Sequence, residues 1–211
     1  KISNIDGQIR IKTIFGKPID ESERLDSILL DSNLKIEVKP FVRGMLIARR
    51  GKNTEGLLVE GIESFSNPSL LNLKDSFITD DNIIIGSSLS DNLKLYISDI
   101  LVVAPLNGYT GELIDLKYSK YQVGGIFKSG MEEYDKNLAY VSLNSAQNLF
   151  GMEGKVSGYI VNSDEEIKYL VEKISKHVKY PYYVETWKDR HRIIFDWVNT
   201  CLLYTSDAAD E

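Results

Sequence analysis

The chain has 211 residues, of which 43% are hydrophobic and 27% charged, and its formal net charge is −6. These proportions suit one large globular domain or two small ones. The acidic balance argues against a nucleic-acid binder, which needs a basic patch. No apolar run nears the roughly 20 residues that cross a bilayer. The longest runs, Ile100–Leu106 and Leu138–Leu143, are strand-sized. Lys1 to Gly16 reads as a strand and not as a signal peptide, so the chain is expected to be soluble by itself or a soluble piece of something longer. The single cysteine, Cys201, rules out an internal disulfide and a thiolate metal site.

The elements follow from periodicity and capping signals. A strand is expected over Gln8–Phe15. Asp20 with Glu23 makes a capping pair ahead of an apolar face of Leu25, Ile28 and Leu29, so a helix follows. Strands are expected at Ile36–Val42, Met45–Ala48, Gly56–Gly61, Asp99–Ala104, Tyr121–Phe127 and Leu138–Val141. A short helix covers Leu143–Phe150, and a strand covers Gly158–Val161. Ser163 with Glu166 forms a capping box for a helix whose apolar residues are Ile167, Leu170, Val171, Ile174 and Val178. A strand at Tyr182–Glu185 leads to Thr186 and Asp189, which start a last helix with the stripe Trp187, Ile194, Phe195 and Val198.

Both ends of this order read strand–helix–strand, and the block between them is rich in strands. Two such halves can close into one sheet with right-handed crossovers, leaving the middle block as an insertion with its own core. The expected class is α+β, a split βαβ unit with an inserted β-rich subdomain. The expected division is residues 1–42 with 156–187 for the split unit, 43–155 for the insertion and 188–200 for a helix leading onward.

Catalytic patterns are missing from the text of the chain. Gly124-Gly125 lacks the Gly-Lys-Ser/Thr that cradles phosphate. His177 and His191 stand on different predicted helices and read as surface or boundary residues. Glu132-Glu133 and Asp80-Asp81 are adjacent acids, which in an extended segment point to opposite faces, and both read as solvated turns. No serine carries the flanking glycines of a nucleophile elbow. The basic clusters Arg43–Arg49–Arg50–Lys52 and Lys188–Arg190–Arg192 read as solvated faces. No cofactor and no metal are expected.

Two segments stand out. Gly124 to Asp135 reads GGIFKSGMEEYD, a strand running through a Gly130 turn into an acidic segment with Met131 and Tyr134. One reading has Met131 and Tyr134 plugging a core while Asp135 caps a turn. The other has them exposed as an adaptable surface for a partner or an acyl chain. Gly151 to Gly158 reads GMEGKVSG. Its glycines and alternating charge suit a projecting hairpin, exposed at Met152, Glu153 and Lys155, or an ordinary connection.

GGIFKSGMEEYD resembles the signature segment in the periplasmic domain of lipoprotein-releasing ABC transporter permeases of the LolC/LolE type. The resemblance continues in order through Pro40-Phe41-Val42-Arg43-Gly44 with Met45–Ala48, GLLVEGI at 56–62, IIIGSSLSDNLKL at 83–95, the strand Asp99–Pro105, LAYVSLNSAQNLFG at 138–151, and Glu185-Thr186-Trp187. Ser98 stands where the family usually has Gly, and His191 where an Asn is common. The resemblance implies a MacB-like periplasmic core, a split porter-like part with a β-rich insert. It implies a non-catalytic domain of an inner-membrane permease that releases lipoproteins and hands them to a periplasmic carrier, with ATP hydrolysed by a separate subunit and a partner permease in the membrane.

The loop at 151–158 resembles, by its position, the hook that engages the carrier in the LolC branch. The partner-binding residues implied are therefore Gly151, Met152, Glu153, Gly154, Lys155 and Val156, together with Met131 and Tyr134 from the signature segment. Other MacB-like permeases, serving efflux or mechanical transmission, share the architecture, and a free-standing binding protein is a third reading. Finally, CLLYTSDAADE at 201–211 resembles translated sequencing-adapter sequence, so the natural chain is expected to continue differently past Thr200, toward a membrane helix.

Overall fold

A computed structural model describes residues 7–21, 35–65, 78–106 and 118–190. In chain order the elements are β1 (Ile9–Thr13), β2 (Ile19–Asp20), β3 (Glu37–Arg50), β4 (Asn53–Ile62), β5 (Asn82–Gly86), α1 (Ser87–Leu93), β6 (Ile100–Pro105), β7 (Ser119–Phe127), α2 (Glu132–Asn137), β8 (Leu138–Ser142), α3 (Leu143–Phe150), β9 (Lys155–Val156), β10 (Gly158–Asn162), α4 (Ile167–His177), β11 (Tyr182–Thr186) and α5 (Trp187–Arg190). The helix expected after Asp20, the residues Ile194, Phe195 and Val198, His191, and the tail from Cys201 lie outside the described residues.

Nine of the described strands form one sheet in the order β11-β1-β10-β3-β4-β8-β5-β7-β6, in which β3 also pairs with β6, while β2 and β9 pair as a separate two-stranded sheet. That extra pairing, Leu46↔Pro105 to Arg49↔Val102, closes β3, β4, β8, β5, β7 and β6 into a six-stranded barrel. The remaining strands make a four-stranded antiparallel sheet, β11-β1-β10 and the first part of β3. Here β1 pairs directly with β10, Ile9↔Val161 to Ile11↔Tyr159, so the N- and C-terminal halves share one sheet as their element order predicts. Inside the barrel, β4–β8 and β5–β7 are parallel and the other pairs antiparallel.

The expected break between strands at Arg43-Gly44 does not occur. A single 14-residue strand runs from Glu37 to Arg50 and belongs to both bodies. Its Glu37–Phe41 segment pairs with β10, and Phe41–Arg50 pairs with β4. Gly44 is there for close approach, since a Cβ would stand 2.4 Å from the Phe150 ring. The boundary expected between residues 42 and 43 thus falls inside continuous strand.

Five described elements, β2, β5, α1, α2 and β9, escaped the periodicity reading, and two of them show why. In β5 the three isoleucines are buried on both sides: Ile83 and Ile85 face one core and Ile84 the other, so no alternation marks the strand. In α2 the acids Glu132 and Glu133 are exposed as expected, but helical rather than extended.

Side chains sort by strand parity into two cores. The larger holds Val42, Leu46, Val59, Ile83, Val103 and Val141 inside the barrel and continues to Ile9, Ile11, Val161, Leu170 and Ile174, which seat α4 on the sheet. The smaller, outside the barrel wall, holds Phe41, Ile62, Ile84, Phe127, Leu138 and Tyr140. Tyr140 meets the Phe65 and Phe127 rings edge-on at 5.0 and 5.5 Å, the arrangement that aromatic quadrupoles favour.

α4 starts later than its predicted box. Ser163 Oγ accepts from Glu165 N–H at 3.1 Å and donates to the Lys35 carbonyl, leaving the helix to begin at Ile167 with no side-chain cap. The Thr186–Asp189 box forms as expected. Thr186 N–H donates to Asp189 Oδ2 at 2.9 Å, and Asp189 N–H donates back to Thr186 Oγ1 at 3.2 Å.

Candidate partner-binding surface

The segment at 151–157 is built by the end of α3. Gly151 closes the helix at φ +61°, and Met152 N–H donates back to the Gln147 carbonyl at 2.8 Å. This is the Schellman pattern, in which the residue after the glycine turns its apolar side chain onto the helix. Met152 is accordingly only 1% exposed and sits in the larger core with Val156. The expectation that Met152 is exposed is therefore corrected; the helix stop turns it inward.

The rest of the segment is pinned from two sides. β9 pairs with β2, Ile19↔Val156 and Asp20↔Lys155, and Glu21 N–H donates to the Gly154 carbonyl at 2.9 Å. Gln147 Nε2 donates to the Lys155 carbonyl at 3.0 Å and to Glu21 Oε1 at 2.5 Å. What faces solvent is Gly151, Glu153, Gly154 and Lys155. This is a small, charged ledge of fixed shape.

The signature segment is held differently. Asp135 is 4% exposed, and its Oδ1 accepts from Ser129 N–H at 2.7 Å and from Ser129 Oγ at 2.6 Å. Ser87 Oγ donates to Oδ2 at 3.4 Å. Met131 and Tyr134 are half-buried, and Tyr134 packs on the smaller core. With Arg43, Leu58, Glu133, Asn137 and Leu138, Tyr134 lines a hollow of about 170 Å³. Of the two readings, burial with a carboxylate-fixed turn accounts for most of this segment. The structure does not bring the two candidate sets together, because Met152 and Val156 belong to the larger core and Tyr134 to the smaller.

At the head of α3, Ser142 Oγ and Asn144 Nδ2 donate to the two oxygens of Asp80 at 2.5 and 2.8 Å. These two donors hold the Asp80 carboxyl below its ordinary value of 3.8. Ser142 also caps the helix by accepting Ser145 N–H at 2.9 Å. Burial pushes the Tyr121 phenol upward.

The sequence reading missed one cluster, Arg10, Glu60 and Arg43. Arg10 Nη1 and Nη2 donate to Glu60 Oε2 and Oε1 at 2.8 and 2.9 Å, and Arg43 Nε donates to Glu60 Oε2 at 2.6 Å. Arg10 and Glu60 are both 1% exposed. Of the basic cluster read as a solvated face, Arg49 and Lys52 are exposed, Arg50 pairs with Asp99 at 2.9 Å, and Arg43 turns inward. Among the described residues no group of three or more His, Cys, Asp or Glu could hold a metal ion, and no helix is long and apolar enough to cross a membrane.

No protein-family model matches the chain, and no curated protein matches it. Solved structures do. The periplasmic region of MacB from Actinobacillus actinomycetemcomitans overlays with a TM-score of 0.55 at 11% identity, covering 89% of this chain and 92% of that one. The chain has the fold of that periplasmic region. The extracellular domain of the noncanonic ABC-type transporter YknZ from Gram-positive bacteria overlays with a TM-score of 0.52 at 16% identity, covering 85% of this chain and all of that one. The α+β class and the β-rich part expected from the sequence are those of the MacB fold, and the structure adds that the β-rich part closes into a barrel.

Proposed function

We propose that this chain is the periplasmic domain of an inner-membrane ABC transporter permease that helps release lipoproteins and pass them to a periplasmic carrier. The observation that carries the transporter half of this reading is the near-complete overlay on two transporter domains. A second feature agrees with it. β1 and β11 are antiparallel neighbours, and Arg190 Nη2 donates to the Gly7 carbonyl at 2.8 Å. The first and last described strands therefore lie side by side, an arrangement common among domains and compatible with insertion between two membrane spans.

The lipoprotein half rests on the collinear resemblance from Pro40 to Trp187. In this reading the four-stranded sheet is the porter-like unit, the barrel is the insert, the helix begun by Thr186 leads to a membrane span, and residues 201–211 are foreign to the protein. The domain itself is non-catalytic. ATP is hydrolysed by a separate subunit, and a partner permease completes the membrane part.

The carrier meets the ledge of Gly151, Glu153, Gly154 and Lys155, while buried Met152 and Val156 hold its shape; Met131 and Tyr134 offer a second, separate contact. A ledge with one acid and one base makes a small polar contact, transient and sensitive to salt. Photo-crosslinking residues placed at Glu153 and Lys155 test this with the cognate carrier. Cross-links at both positions are expected, and in the chain without cross-linkers Glu153→Lys with Lys155→Glu should abolish carrier pull-down without lowering the melting temperature. Undiminished recruitment by the charge-reversed chain would eliminate the ledge. No carrier cross-link at any position would favour the second reading, a permease for efflux or mechanical transmission, which the overlay on MacB supports equally.

A further inference from the structure

We infer that Arg10, Glu60 and Arg43 are a mechanical coupling that fixes the angle between the four-stranded sheet and the barrel. This coupling does not depend on what the transporter carries. Its basis is where the three charges stand relative to the change of partner along β3. Phe41 is the last residue of β3 paired with β10, through Gly158, and the first paired with β4, through Ile62. A strand that leaves one sheet for another at a single residue offers a line about which the two bodies can tilt.

The triad straddles that line. Arg10 lies on β1, inside the sheet, and pairs with Ile160 of β10 and Glu185 of β11. Glu60 and Arg43 are direct cross-strand partners in the barrel wall. To reach Glu60, Arg10 passes β10 and β3, with its guanidinium 4.5 Å above the Phe41 ring. Gly158 lets β1 and the Phe41 ring approach closely beside it, because a Cβ there would stand 2.3 Å from the Ile11 carbonyl and 3.0 Å from Phe41.

Both Arg10–Glu60 bonds are short and parallel, a fork that fixes orientation as well as distance. Arg43 approaches the same carboxylate through Nε and Nη2. Burial makes the coupling brittle. A surface ion pair can swing and re-solvate at little cost, whereas a buried carboxylate that loses its fork is left charged in a poorly solvating place. Tilting the barrel stretches the Arg10 fork first, so the intact triad admits one angle. A displacement imposed near Gly7 and Arg190 then reaches the barrel instead of being absorbed by bending of β3.

Paired spin labels on the full chain carry the test. With Cys201→Ser as background, one pair joins the two bodies, Lys168→Cys on α4 and Lys52→Cys on the β3–β4 turn, both exposed positions. A control pair, Lys52→Cys with Lys136→Cys on α2, stays on the barrel. Arg10→Met removes the fork and leaves the neutral Glu60–Arg43 pair inside the barrel wall. The distance distribution of the first pair should at least double in width while that of the control pair keeps its width. An unchanged width in the first pair, or equal broadening in both, overturns the coupling. If Arg10→Met yields no folded chain, Arg10→Lys keeps the charge and loses the fork, and it is judged by the same two outcomes.

Discussion

The segments 129–135 and 151–157 each place a methionine beside a glycine, and they are ordered by opposite means. At 129–135 a buried carboxylate, Asp135, gathers the turn around itself through Ser129 and Ser87. At 151–157 no buried charge of the segment takes part. A helix stop, a two-residue strand pairing and a buried Met152 set the shape. A turn held by one side chain depends on that side chain's chemistry. A turn held by backbone and hydrocarbon leaves its outer residues, Glu153 and Lys155, free to vary without cost to the fold.

That difference can be broken most forcefully at Met152. Met152→Ala should cost about 3 kcal/mol, the usual loss for emptying a fully buried methionine site, seen as a lower urea midpoint at unchanged slope. A loss under ~1 kcal/mol would return Met152 to the surface and remove the distinction. Asp135→Ala should cost less, about 2 kcal/mol, for the lost charge-assisted bonds from Ser129. Hydrogen exchange should then quicken at 129–135 and stay unchanged at 151–157. Quickening at both segments would show that they are one unit.

The smallest effect is at Asp80, which ties down the head of α3, whose other end builds the ledge. Its folded-state pKa is depressed, so its contribution is complete above the ordinary value of 3.8 and is lost as pH falls through the lower folded value. Because Asp80 is exposed and water screens it, that contribution is about 0.5 kcal/mol. Asp80→Asn should flatten stability below pH 4 by this amount. An unaltered acid limb would mean that the Ser142 and Asn144 bonds add nothing.

The fold was largely legible. Tyr121–Phe127, Leu138–Val141 and Gly158–Val161 are expected strands that appear within two residues of their predicted bounds. Their β-branched and aromatic side chains alternate or cluster in short runs between turn residues. The MacB-like architecture followed from their order together with the resemblance. Even the Ser98 departure has a physical counterpart, since Ser98 holds φ +74°, the region where glycine is the easy choice.

The ledge was legible in place but not in aspect. Glycines at 151, 154 and 158 signal turns without saying which way the residue between them points. The signal that could have decided it is Phe150-Gly151-Met152, a helix-ending glycine followed by an apolar residue. The triad left no such trace. Arg10 and Glu60 occupy the polar steps of alternating strands, where pattern reading assigns water. A strand covered on both faces has no outward step, and which distant charges share one burial is a property of the sheet order rather than of any local run.

The 14 unbroken residues of β3 also constrain how this architecture can diverge. Side chains alternate along it, so removing one residue near Val42 would turn every barrel-facing side chain of its second half outward while the first half kept its place. The register of one body is inherited through the other. Length changes are therefore tolerable at the Gly51-Lys52 turn and in the connections, but not along β3. A barrel transplanted from a relative is compatible only when the spliced strand keeps its parity. What looks like a detachable cassette is, through this one strand, phase-locked to its host.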